Sequence, residues 1–194
     1  MYLIRISIYG PAHLIVHQTT LIMNGNTAPT STSIDDQNRI EALNRYKIFG
    51  TPSEKSFDNI ADLATDLFNV PIALVTFVDT ENVFLKSNVG IEDIRLNPTN
   101  NSLCAMALLN EDVTVFNDIS TIDPVLLSNP ITAAELGFKF YAGAPLITYD
   151  GFSIGTICIM DKKTRAFNDR DKRLLQKIAR IVMDEIELRL HSHK

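Results

Sequence analysis

Histidine is missing from the interior of this chain. His13 and His17 lie in the first twenty residues, His191 and His193 in the last four, and none stands between Gln18 and Leu190. A Ser–His or Cys–His nucleophile pair, a histidine phosphoacceptor and a proximal haem ligand therefore have no candidate inside the domain. Cysteine is scarce as well. Cys104 and Cys158 are the two present, with no CxxC or Cys/His spacing, so a structural zinc site is not expected. They read as two buried thiols in a reducing cytoplasm. Excess positive charge is also lacking: the formal net charge is −5, which argues against a nucleic-acid partner. No run of like charges marks an interaction tail.

A long uninterrupted apolar run is absent too. The first 23 residues are apolar but broken by Arg5, Gly10-Pro11, His13, His17 and Gln18. That falls short of the ~20 consecutive apolar residues a membrane span needs, and no small-x-small cleavage site follows. The sequence thus predicts a cytoplasmic protein without a membrane partner. Residues 1–37 are expected to be a poorly structured leader, with an alternative start at Met23, and 191–194 a short tail.

What is there suits one domain. Hydrophobic residues make up 45% of 194 and charged residues 21%, enough for a sizeable core. Helical spacing of Ile40, Leu43 and Ile48 predicts a first helix that Gly50 can close. Thr51-Pro52-Ser53-Glu54 reads as a capping box for a second helix carrying Phe57, Ile60, Ala61 and Ala64 inward and ending before Pro71. IALVTFV (72–78) is a buried strand, and 83–88 a second one, in which alternation puts Phe84 and Lys86 on one face and Leu85 and Ser87 on the other. SLCAMALL reads as a short helix capped by Ser102 or Asn101, EDVTVFN as a strand, and 118–134 as an irregular stretch. Asp79 and Asp161 follow strands and read as turn residues.

FYAGAPLITYDGFSIGTICIMD (140–161) is a hairpin turning at Tyr149-Asp150-Gly151. Ala142, Gly143, Ala144 and Gly155 are small where a packed strand would carry bulk, which fits either a core or the floor of a pocket. The last helix starts at Asn168, with Asp171 as the capping-box partner. Its apolar stripe is wider than one sheet requires, and Leu174, Ile181 and Leu188 recur every seven residues as a seam for a partner helix. No strand–helix–strand unit repeats, so the fold is expected to be α+β with an antiparallel sheet.

In this order and spacing, these pieces resemble a GAF domain of the branch common in bacterial sensor proteins. RIEALNRYKIFGTPSEKSFDNIADLA resembles the helix, the D-T-P-x-E step and the second helix of the family, with Gly50 in place of its acidic residue. VPIALVTFVD and FLKSNVGI resemble the first two strands, SLCAMAL the short S-F-C-A-H-A-I helix, and 140–161 the F-Y-A-G-A-P-L hairpin with its L-G-T-L-C-V-I-D return. The resemblance covers 38–190 and implies a GAF/PAS-like central antiparallel sheet of strand order 2-1-5-4-3. It also implies terminal helices on one face, pairing in a homodimer, and a ligand pocket on the other. Two departures matter. Met106 stands where the family has histidine, with Ala105 between it and Cys104, which argues against bilin. The N-K-x-x-x-F-x-x-x-D-E signature of cyclic-nucleotide-binding members is missing.

The resemblance implies a non-enzymatic sensor of an unidentified small molecule, acting in signal transduction. Four residues follow Leu190, so action in trans is expected, on a histidine kinase or a cyclic-dinucleotide enzyme. The candidate pocket residues are Phe84, Lys86, Cys104, Asp118, Phe140 and Tyr141. Tyr141 offers an apolar body with a polar tip, and Lys86 a charge for an anion. The alternatives are a dimerising interaction module without a ligand and, third, a cysteine-dependent free methionine sulfoxide reductase.

Overall fold

The computed structural model describes residues 34–80, 82–91, 103–122 and 137–192, all within one unit spanning Thr32–Lys194. The leader as far as residue 33, the Ser102 or Asn101 cap, most of the 90–101 loop, most of 118–134 and the end of the tail lie outside the described residues. In chain order the elements are α1 (Ile34–Arg45), α2 (Lys55–Phe68), β1 (Ile72–Val78), β2 (Val83–Val89), α3 (Leu103–Leu108), β3 (Thr114–Phe116), a 3-10 turn (Ile119–Thr121), β4 (Phe140–Ile147), β5 (Ser153–Asp161) and α4 (Asp169–Ser192). The strands form one antiparallel sheet in the order β2-β1-β5-β4-β3, as expected for this α+β chain.

Both faces of the sheet are covered, which is why β1 is buried at every position. Strand alternation then divides the core in two. Ala73, Val75 and Phe77 of β1 join Phe140, Ala142, Ala144 and Leu146 of β4 against α1, α2 and α4. On the opposite face, Ile72, Leu74, Tyr141, Cys158 and Met160 pack under α3 and the 3-10 turn.

Two helix starts differ instructively. At α4, the Asn168 carboxamide accepts from the amides of Arg170 and Asp171, and the Asp171 carboxylate accepts from the Asn168 amide, the predicted reciprocal cap. At α2 the predicted box at Thr51 does not form. The helix begins one turn later, with Glu54 as its uncapped N-cap, while the Thr51 hydroxyl donates to the Ile48 carbonyl. The Glu54 carboxylate is drawn away by two cations, Lys86 and Arg189, which bind it at 2.6 and 2.8 Å. A charge-assisted bond is stronger than a cap to a neutral amide.

Those cations bear on β2. The β1–β2 register pairs Val75 with Ser87 and Thr76 with Leu85, leaving Lys86 as an extra residue in a bulge. The bulge resets the alternation, so Lys86 and Ser87 both turn toward the helices. Lys86 donates to Glu54, the Thr51 hydroxyl and the Pro52 carbonyl, and the Ser87 hydroxyl to Asp58. Simple alternation had separated Lys86 from Ser87.

The small residues of the hairpin serve close packing. A Cβ at Gly155 would strike the Thr76 carbonyl and the Phe77 backbone of the adjacent strand, and one at Gly143 would strike the Tyr141 ring, which folds over it. Arg45 of α1 ties the turn down through a two-pronged pair with Asp150 at 2.7 and 2.8 Å.

Candidate functional site

The six predicted pocket residues do not converge. Phe84, Lys86 and Phe140 lie on the helix-covered face. Phe84 stacks on Phe49 at 5.2 Å, Phe140 on Phe167 at 5.6 Å, and the Lys86 side chain is completely buried in its pair with Glu54. Strand parity accounts for both, since it places Lys86 with Phe84 and turns Phe140 away from its neighbour Tyr141. Lys86 is thus committed to a protein carboxylate. Asp118 is half-buried, and it accepts from the amide and hydroxyl of Ser120 and caps the 3-10 turn. Those bonds hold its carboxyl below the usual carboxylate range. It borders a surface cleft of about 340 Å³ with Asn117, Thr164, Arg165 and Ala166. The Arg165 guanidinium there is already engaged by Asp161 and by the carbonyls of Phe68 and Asn69.

Cys104 and Tyr141 remain, and they meet. α3 lays Cys104 over β5, where its sulfur lies 3.9 Å from that of Cys158. The Tyr141 ring, fully buried, leans on Phe116 at 6.1 Å, and its hydroxyl is buried without a hydrogen-bond partner. Beneath them Thr76 and Thr156, paired across β1 and β5, share a hydrogen bond of 2.9 Å in full burial. Five polar or sulfur-bearing side chains thus sit together in an otherwise apolar layer.

Electrostatics set the two thiols apart. The hydrogen bond from Cys158 pulls the Cys104 thiol down against the opposing effect of burial; the hydroxyls of Thr156 and Thr76 help. Cys158 is pushed well up by its hydrogen bond to Cys104 and by burial, and Tyr141 is raised by burial and by the Cys104 charge. Cys104 is therefore the more acidic of the two.

Thr76 and Thr156 were missed in the sequence, although each is the polar residue inside an apolar strand (IALVTFV and SIGTICIMD). Glu54 and Arg189 were missed as a pair because 135 residues separate them. Among the described residues there is no cluster of three or more side chains able to hold a metal, and no helix long and apolar enough to cross a membrane.

The family model for the GAF domain matches residues 52–186. The chain belongs to the GAF family. A cyclic di-GMP phosphodiesterase of Pseudomonas aeruginosa is 33% identical to it over 153 residues, covering 78% of this chain and 26% of that protein. The chain therefore spans about a quarter of that curated relative's length. Among solved structures, the GAF domain of an Acinetobacter phosphoenolpyruvate-protein phosphotransferase superposes with a TM-score of 0.57 at 13% identity, covering 84% of this chain and 97% of that one. The free methionine-R-sulfoxide reductase of Neisseria meningitidis superposes with a TM-score of 0.59 at 17% identity, covering 86% and 98%. At such identities these two structures speak for the GAF fold alone. The Tyr141–Cys104–Cys158 cluster lies on the sheet face opposite the terminal helices of this GAF domain.

Proposed function

We propose that this GAF protein is a regulatory, non-catalytic module of signal transduction that works as a homodimer. It takes up a small molecule on the α3 side of the sheet and passes the change through α4 to an enzyme of cyclic-dinucleotide turnover or a histidine kinase. The observation that carries this is the outer surface of α4. Leu175, Ile178, Val182 and Ile186 are buried on the sheet, while Ile181 and Leu188 remain 46% and 65% exposed and Leu174 half-buried. A heptad-spaced apolar row pointing away from its own core fits a second copy of the helix. The relative named above supports the output class, since it is a cyclic di-GMP phosphodiesterase of which this chain matches one part. Ligand uptake would act by favouring one of two packings of the paired helices, which requires different affinity for each.

Light scattering on purified protein should give twice the chain mass. Ile181→Glu with Leu188→Glu should shift it to the monomer while leaving the thermal midpoint within a few degrees, because both side chains are largely outside the core. A wild-type monomer at micromolar concentration would overturn the dimer.

A second reading, an interaction module without a ligand, is favoured by the complete burial of Tyr141 against Phe116. A thermal-shift screen of nucleotides, amino acids and tetrapyrroles separates the two. The sensor reading expects a ligand that raises the midpoint and does so less in Tyr141→Phe; no shift with any of them favours the interaction module. Turnover of free methionine sulfoxide that disappears in Cys104→Ser would replace both with the reductase.

A further inference from the structure

We infer that Cys104 and Cys158 are a peroxide-responsive dithiol whose oxidation forms an intrachain disulfide fastening α3 to β5. The two sulfurs belong to different elements, 54 residues apart in sequence, yet lie 3.9 Å apart and are both free. A disulfide needs about 2.0 Å between sulfurs, so closure asks for about 2 Å of approach. α3 has six residues and rests on the sheet through Leu103, Cys104 and Ala107. A helix of under two turns can supply that approach by a small shift together with a χ1 change.

The surroundings assign the roles. Cys104 keeps 7% of its surface exposed and Cys158 none, so a small oxidant reaches Cys104 first. The neighbouring hydroxyls and the Cys158 thiol favour the Cys104 thiolate, the reactive form. Its sulfur attacks one oxygen of hydrogen peroxide; the O–O bond breaks, Cys104 becomes a sulfenic acid and hydroxide leaves, to be protonated to water. The Cys158 sulfur then displaces the sulfenic oxygen, which departs with the Cys158 proton as a second water. Two electrons pass from the sulfur pair to the peroxide, and both of its oxygens end as water. A dithiol returns them by exchange.

The disulfide has a structural consequence in the same cluster. Both thiol protons are lost, so Tyr141, whose hydroxyl has no hydrogen-bond partner, faces a group with no donor and weak acceptors. Oxidation therefore removes the two thiol donors under α3 as well as shortening its distance from β5.

The inference is independent of the regulatory reading above: the bond forms or fails to form whatever the module controls. The test is intact mass and peptide mapping of the full chain after brief exposure to a small excess of hydrogen peroxide, with unreacted thiols alkylated under denaturing conditions. The wild type should become lighter by two hydrogen atoms, lose both alkylation sites, yield a Cys104–Cys158 peptide, and recover both thiols with dithiothreitol. Cys158→Ser should instead gain one oxygen at Cys104 that dimedone captures, and Cys104→Ser should react at least about tenfold more slowly. Unchanged mass, oxygen retained on Cys104 in the wild type, or a disulfide between two chains would overturn it. The wild-type result decides by itself if a serine variant folds poorly.

Discussion

Glu54→Ala should destabilise the fold by about 3 kcal/mol, read as a fall in the urea midpoint at unchanged slope. The Lys86 ammonium is completely buried and would keep the Thr51 hydroxyl, the Pro52 carbonyl and the face of the Phe57 ring as partners, but would lose the charge of Glu54. Breaking a buried pair from one side costs more than removing both charges. That figure is the lower end of the roughly 3–5 kcal/mol expected for such a break, because Glu54 itself is 30% exposed. Lys86→Met should be milder, about 1 kcal/mol, because methionine fills the space and Glu54 keeps Arg189. Adding Glu54→Ala to Lys86→Met should then cost far less than it does alone, a coupling of about 2 kcal/mol. Additive costs would sink the account.

The pair also fixes a pH dependence. Burial works against the Glu54 carboxylate, yet hydrogen bonds from Lys86 and Arg189 outweigh it and hold its pKa below the ordinary value. Its protons are therefore bound less tightly in the folded state. The stabilisation is fully present above the unfolded carboxyl value of about 4.3 and is lost as pH falls through the lower folded one. The gap between wild type and Glu54→Ala should narrow only in that acid range.

Tyr141→Ala should cost about 3–5 kcal/mol, the range for emptying a fully buried aromatic site. The ring is wholly enclosed and braced by Phe116, and it fills the space Gly143 leaves open. Tyr141→Phe should be neutral or stabilising by up to about 1 kcal/mol, because it removes a buried hydroxyl that has no hydrogen-bond partner. Thermal denaturation of both variants gives the answer. A loss above about 1 kcal/mol in Tyr141→Phe would mean that the hydroxyl has a partner worth more than its burial costs.

The fold was legible because its signals are local or periodic. The apolar strands 72–78 and 140–161, the Tyr149-Asp150-Gly151 turn and the Asn168 cap each act within a few residues, and the structure follows them. The candidate site was less legible because it depends on parity and on long-range partners. One extra residue in β2 moved Lys86 and Ser87 to a common face, and no propensity marks a bulge. The capping motif at Thr51 was outbid by cations that arrive from residues 86 and 189. Phe140 and Tyr141 are adjacent in the sequence, but a strand sends neighbours to opposite faces, so only Tyr141 joins Cys104.

The bulge has a second consequence, for how copies of the protein meet. β2 and β3 end the sheet, and a bare strand edge invites another strand to add to it. Here β3 is three residues long, and β2 is bent at Lys86, whose charge points inward. A strand from a neighbouring molecule would find little straight backbone to pair with on either side. Extension of the sheet into a polymer is discouraged by the same residue that binds Glu54, and the outer faces of the helices are left as the smoother route to association.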